Sequence, residues 1–180
     1  TAMPDAAAER RLNRWMREME QAALARAKAA VLALSPDDGS GRAVEGVFGY
    51  EVKRNGRGLV SLLFHDYLYS GGANGRTVVT GLTFSSRDGQ VYRLQDLFKN
   101  EETYGAVLDE HIRRQLRDRG LESQLLKSFS GITKDACFYL TATDLVIVIQ
   151  ELDWFPHSMG SVEFPIPLSE LSMYTQDVLK

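Results

Sequence analysis

Gly58-Leu59-Val60-Ser61-Leu62-Leu63-Phe64-His65-Asp66-Tyr67-Leu68-Tyr69 is the stretch that decides the fold. Side chains alternate across a strand, so Val60, Leu62, Phe64 and Leu68 share one face, and Ser61, Leu63, His65, Tyr67 and Tyr69 share the other. Asp66 falls on the apolar face and must find donors there or lie beyond the edge of the core. Upstream, Val44 to Val52 forms a matching strand, joined around Asn55-Gly56, a pair suited to the positive φ angles of a tight hairpin. Downstream, Thr77 to Ser85 turns at Asp88-Gly89 into a short strand from Gln90 to Leu94. Successive antiparallel neighbours make a meander.

Helical periodicity flanks this meander. From Asp5 to Leu34, Leu12, Trp15, Met16, Met19, Ala23, Ala27, Ala30, Val31 and Leu34 recur at steps of three and four, the mark of an amphipathic helix. Its basic stripe, Arg10, Arg11, Arg14 and Arg17, is interrupted by Glu9, Glu18 and Glu20, which favours packing on a sheet over contact with acidic lipid. The turn-rich run from Ser35 to Gly41 ends it, because Pro36 cannot continue the hydrogen-bond ladder. A second helix carries Tyr104, Val107, Leu108, Ile112 and Leu116 and stops near Gly120; a shorter one is expected over Leu121 to Phe129. Phe138 to Thr141 and Leu145 to Leu152 form another hairpin, and the unbroken Leu145-Val146-Ile147-Val148-Ile149 suits a central strand buried on both faces. Val162 to Ile166 is a further strand, limited by Pro165 and Pro167, and Ser169 to Tyr174 a terminal helical turn. The expected class is α+β: an antiparallel β-sheet packed with a long N-terminal helix and a central helical segment, residues 1–180 forming one domain without repeats or linkers.

Composition narrows function mainly by exclusion. The chain has 180 residues, 44% hydrophobic and 25% charged, enough to enclose its own core. A net charge of −3 offers no global attraction for nucleic acid. The charge is uneven: residues 144–180 hold six carboxylates against Lys180, a balance of −5, leaving +2 over residues 1–143. The acidic end favours a basic partner or serves as a solvated, solubilising face. No apolar stretch approaches the roughly 20 residues that span a bilayer, and no signal-peptide pattern opens the chain.

Tests for chemistry point the same way. The three histidines, His65, His111 and His157, lack metal-ligand spacing, and the one cysteine, Cys137, has no partner, so neither a metal site nor a cofactor is expected. His111 sits in the second helix beside Glu110 and Arg113, where a solvated position is expected. Cys137 at a strand start is expected to be buried as a small apolar group. No G-x-S-x-G elbow supports a serine nucleophile, and Glu101-Glu102 belongs to a helix start. The expectation is a non-catalytic protein.

Two segments remain. Tyr67-Leu68-Tyr69-Ser70-Gly71-Gly72-Ala73-Asn74-Gly75 leads two aromatics into three glycines, a turn that lets backbone approach another surface closely. It is not a phosphate loop, since the P-loop pattern is absent and a strand follows. Its counterpart, Asp153-Trp154-Phe155-Pro156-His157-Ser158-Met159-Gly160, places large apolar groups in a connection. These either fold back on the core or supply recognition anchors. The candidate contact set is therefore Tyr67, Tyr69, Gly71, Gly72, Asn74, Gly75, Trp154, Phe155, His157 and Met159.

Read in order with their neighbours, these pieces resemble an extracytoplasmic bacterial domain family found in lysozyme-sensing anti-sigma factors of the sigma-V regulator type and at the front of some peptidoglycan deacetylases. The matching pieces are Leu12-Asn13, Gly58-Leu59-Val60-Ser61, Tyr69 through Gly75, Leu94-Gln95-Asp96-Leu97-Phe98, Phe138-Tyr139-Leu140, and Gly160 through Phe164-Pro165-Ile166-Pro167. The resemblance implies an α+β domain outside the cytoplasm, tethered through an upstream membrane segment or lipid, that binds another protein and has no catalysis of its own. It implies as partner a basic protein such as lysozyme, with cell-wall glycan as the alternative ligand, since Tyr and Trp faces stack on sugar rings. Asn74 stands where the glycine motif commonly has His, and Leu168 where an aromatic often follows the Ile-Pro pair, so no role of that His carries over.

Overall fold

The computed structural model describes residues 5–33 and 43–179, which leaves the expected turn over 35–41 outside the described residues. Asp5 opens the first helix, α1 (Ala6–Ala33), by accepting the Ala7 N–H at 2.8 Å, which caps one of the unpaired amides at the helix start. Among the described residues seven strands follow in chain order: β1 (Glu45–Gly56), β2 (Leu59–Tyr69), β3 (Arg76–Ser85), β4 (Val91–Tyr92), β5 (Cys137–Leu140), β6 (Asp144–Ile149) and β7 (Val162–Pro167). Between β4 and β5 lies α2 (Tyr104–Asp118), and α3 (Leu168–Leu171) follows β7. Where a helix was expected over 121–129, only a 3-10 turn at Leu121–Gln124 forms, after Gly120 leaves α2 with φ +64°. Among the described residues no helix is long and apolar enough to cross a membrane.

The α+β class holds, with two sheets in place of the one expected. The order β1-β2-β3-β4 makes a four-stranded antiparallel sheet and β5-β6-β7 a three-stranded one. The break has a physical cause. Beyond the two-residue β4, the outward edge of β3 is closed by side chains and not by another strand. The Thr77 N–H meets Glu151, the Val79 N–H and carbonyl meet the Gln150 amide at 3.1 and 2.6 Å, and the Gly81 N–H meets the Cys137 sulfur. Closing the edge this way satisfies its backbone groups and blocks strand addition. β5 instead lies across the face of the first sheet. A side chain at Gly81 would collide with the Phe138 carbonyl, and the Leu140 N–H donates to the Ser61 hydroxyl at 2.9 Å.

Alternation along β2 sorts the layers as expected. Leu62 and Phe64, with Leu82 and Phe84 of β3, pack under Leu12, Trp15 and Met16 of α1. Leu63 and Val79 face Tyr139, Val146 and Val148 between the sheets. The opposite face of the second sheet, with Leu140, Leu145, Ile147, Phe164 and Ile166, covers Leu108, Ile112 and Leu116 of α2. The layers therefore run α1, first sheet, second sheet, α2, and β6 is central and buried from Leu145 to Ile149. Asp66 finds its donor on the helix side, where Arg26 pairs with it.

The first hairpin turns at Arg57-Gly58 (φ +53° and +77°), and not at Asn55-Gly56. Packing explains the choice. The observed register keeps the Phe48 and Tyr50 rings 5.9 and 5.7 Å from Phe64, on the α1 side. A tip at Asn55-Gly56, two residues earlier, would shift the pairing by three residues or more and carry both rings away from Phe64. Burial thus outweighs the local preference of Asn-Gly.

Candidate functional site

The surface begins at the end of β2. Tyr67 and Tyr69 extend the face that carries Leu63 at its buried end, and both are half-buried. Next to them His65 lies 2.8 Å from Glu51, whose carboxyl is held below the ordinary range chiefly by its hydrogen bond with Lys53. The chain then leaves the sheet through Gly71, whose φ of +83° suits glycine. Gly72, Ala73 and Asn74 are exposed. Gly75 has a different constraint: a Cβ there would fall inside the Tyr67 ring, so the phenol lies directly over its backbone. Gly72 has open space around it.

Glu151 ties this region to the other segment. It keeps only 4% of its surface, two residues past the apolar run of β6. One carboxylate oxygen accepts the Thr77 N–H at 3.2 Å, and the other meets His157 Nδ1. Tyr67 is opposite Thr77 in the β2–β3 register. Tyr67, Gly75, Thr77, Glu151 and His157 therefore form one chain of contacts, with the imidazole partly exposed at its end.

The rest of the second segment goes inside. Trp154 is 9% exposed, its ring edge-on to Phe129 at 4.5 Å, and its carbonyl accepts the Leu126 N–H at 2.8 Å. Phe155 is fully buried and stacked on Phe164 at 6.3 Å. Met159 is half-buried against the same core cluster. The expectation that Trp154 and Phe155 are exposed anchors is corrected: facing rings from residue 129 and β7 bury them, which removes more apolar area from water than a loop position would. Of the ten candidate residues, Tyr67, Tyr69, Gly71, Gly72, Asn74, Gly75 and His157 make one region; Trp154 and Phe155 are core, and Met159 lines it.

Other expectations shift as well. His111 is not solvated: its side chain is 13% exposed, between Arg114 at 3.2 Å and Glu170 at 3.5 Å, and burial, then Arg114, lowers its pKa. Cys137 is largely enclosed and its thiol is pushed up to about 11 by burial, a poor nucleophile at neutral pH. The acidic C-terminal carboxylates are partly consumed internally, Glu151 in the tie and Glu170 with Arg114 at 2.8 Å. Gln150 and Glu151 are the residues that sequence reasoning missed. The available signal was two long polar side chains directly after five apolar residues, at the mouth of a buried strand.

Residues 95–169 match the family model described as Protein of unknown function (DUF3298). The matched stretch runs through α2 and the second sheet to the start of α3; His157 lies inside it and the glycine-rich segment outside. Among solved structures, a DUF3298 family member from Bacteroides fragilis is similar, with 21% identity, a TM-score of 0.64 and coverage of 75% of this chain and 55% of that one. A DUF3298 family protein from Pseudomonas aeruginosa is similar at 19% identity and TM-score 0.61, covering 76% of this chain and 64% of the other. At these identities the likeness is one of fold, and the chain spans less than two thirds of the length of either structure. A comparison with curated proteins gives no match.

Proposed function

We propose that this chain is a non-catalytic, extracytoplasmic protein-binding domain, of the kind found in lysozyme-sensing anti-sigma factors and beside peptidoglycan deacetylases. Its contact surface is Tyr67, Tyr69, the exposed turn through Asn74, and His157. The observation that carries this reading is the Glu151 tie, which holds a glycine-rich turn and a partly exposed imidazole at the same edge of β3. Amphipathic tyrosines on a fixed strand beside an adaptable turn suit protein recognition, since rigid rings lose little entropy on binding. Asp153 and Glu163, both exposed, add negative charge suited to a basic partner such as lysozyme. Loss of the two core aromatics from the contact set leaves phenol, amide and imidazole groups, which also favours cell-wall glycan as a second ligand.

Calorimetric titration with lysozyme and, separately, with purified peptidoglycan tests both. Tyr69→Ala with Asn74→Ala is expected to weaken lysozyme binding at least about tenfold while the melting temperature stays put. Undiminished binding by the double variant, or none by the parent chain, sinks the reading; binding of peptidoglycan alone turns it to the glycan form.

A further inference from the structure

The opposite end of β1 and β2 carries a cluster of cations that the surface above does not use. The bulge between Val52 and Arg54 creates it. Val52 pairs with Leu62 on the α1 side, whereas Arg54 pairs with Ser61, whose hydroxyl points to the second sheet. The inserted residue moves Arg54 to the face between the sheets. There its Nη1 donates to the Thr141 carbonyl at 3.2 Å, and only 8% of the residue remains exposed. Among the described residues no carboxylate pairs with it. Its charged neighbour is Arg57, and burial together with that like charge lowers its pKa. With a single carbonyl and another cation as its neighbours among the described residues, and with the side chain lining a cleft, this guanidinium has donors left for an anion.

Space for one is present. Lys53, Arg54, Arg57 and Ala142 line a cleft of about 280 Å³. Of the three cations, Lys53 is shared with Glu51 at 2.9 Å. Arg57 also borders a neighbouring cleft with Ser85, Arg87 and Tyr92, in which Asp177 takes part. We propose that the cleft between Arg54 and Arg57 binds a phosphate group. A carboxylate needs one guanidinium fork, whereas a phosphate brings three or four oxygens and more charge, enough to engage both arginines and Lys53 together.

The test is a titration of the whole chain with inorganic phosphate at constant ionic strength, followed by calorimetry and by amide shifts. Saturable one-site binding is expected, with shifts confined to residues 53–57 and the β5–β6 turn. Arg57→Gln should weaken it about tenfold without moving the melting temperature. Arg54→Gln should abolish it; if that variant fails to fold, the exposed Arg57 still decides the matter. Glycerol phosphate and dimethyl phosphate then tell a terminal phosphate from a bridging one, and binding of either supports the proposal. Absence of saturation, shifts scattered over the surface, equal affinity for acetate, or no effect of Arg57→Gln overturns it.

Discussion

Residues 67–75 and 153–159 look alike as sequence, each setting aromatics beside turn-forming residues, yet the molecule uses them in opposite ways. Trp154 and Phe155 meet waiting rings, Phe129 and Phe164, and are absorbed into the core around α2 and the second sheet. Tyr67 and Tyr69 continue a strand past the point where the second sheet covers it, and stay half-buried. The difference lies in the partners. An aromatic in a connection is interior when the adjacent layers leave it a ring-shaped space, and a contact group when its strand outruns its cover.

The largest effect that tests this contrast is on stability. Phe155→Ala should cost about 3–5 kcal/mol in urea unfolding, with Trp154→Ala close behind, because each empties a packed site that neighbours cannot refill. Tyr69→Ala should cost under about 1 kcal/mol. If Trp154→Ala is as mild as Tyr69→Ala, the two segments are not different in kind, and the indole belongs with the contact surface.

Much of the fold was legible because periodicity reports burial directly. The alternation in β2 placed Leu62 and Phe64 against the helix and Leu63 on the reverse, and the five apolar residues of β6 marked a strand covered on both faces. What could not be read depended on partners distant in sequence. The division into two sheets rests on Gln150 and Cys137 meeting the edge of β3, and the hairpin tip was set by rings packing on Phe64 against the local preference of Asn55-Gly56. For the site, the glycine-rich turn stood out by composition. Glu151 did not, because its place just past the apolar run marks the mouth of a buried strand without showing that its carboxylate holds the Thr77 amide, a partner 74 residues away.

Glu151 links the two contrasted regions, so removing it sharpens the comparison at an intermediate cost. Glu151→Ala should destabilise by about 1–3 kcal/mol, since the half-buried Thr77 N–H loses its acceptor. Hydrogen exchange gives the more specific readout. The Thr77 amide should exchange faster, while Val79, held independently by Gln150, keeps its protection. Equal acceleration at both positions would mean that the whole edge of β3 opens as one unit and that the tie has no separate role.

The smallest effects separate two glycines within the exposed region itself. Gly75 lies beneath the Tyr67 ring, so Gly75→Ala must displace the phenol and should cost about 1–3 kcal/mol, as an overpacked contact does. Gly72 has open space about it, and Gly72→Ala should stay within about 0.5 kcal/mol of the parent. The contact also makes a cycle possible: if the ring is the obstacle, adding Tyr67→Ala to Gly75→Ala should recover at least about 1 kcal/mol relative to the sum of the single changes. An additive result would mean that the ring is not the source of the cost of Gly75→Ala, and would release Tyr67 from its assigned position over the turn.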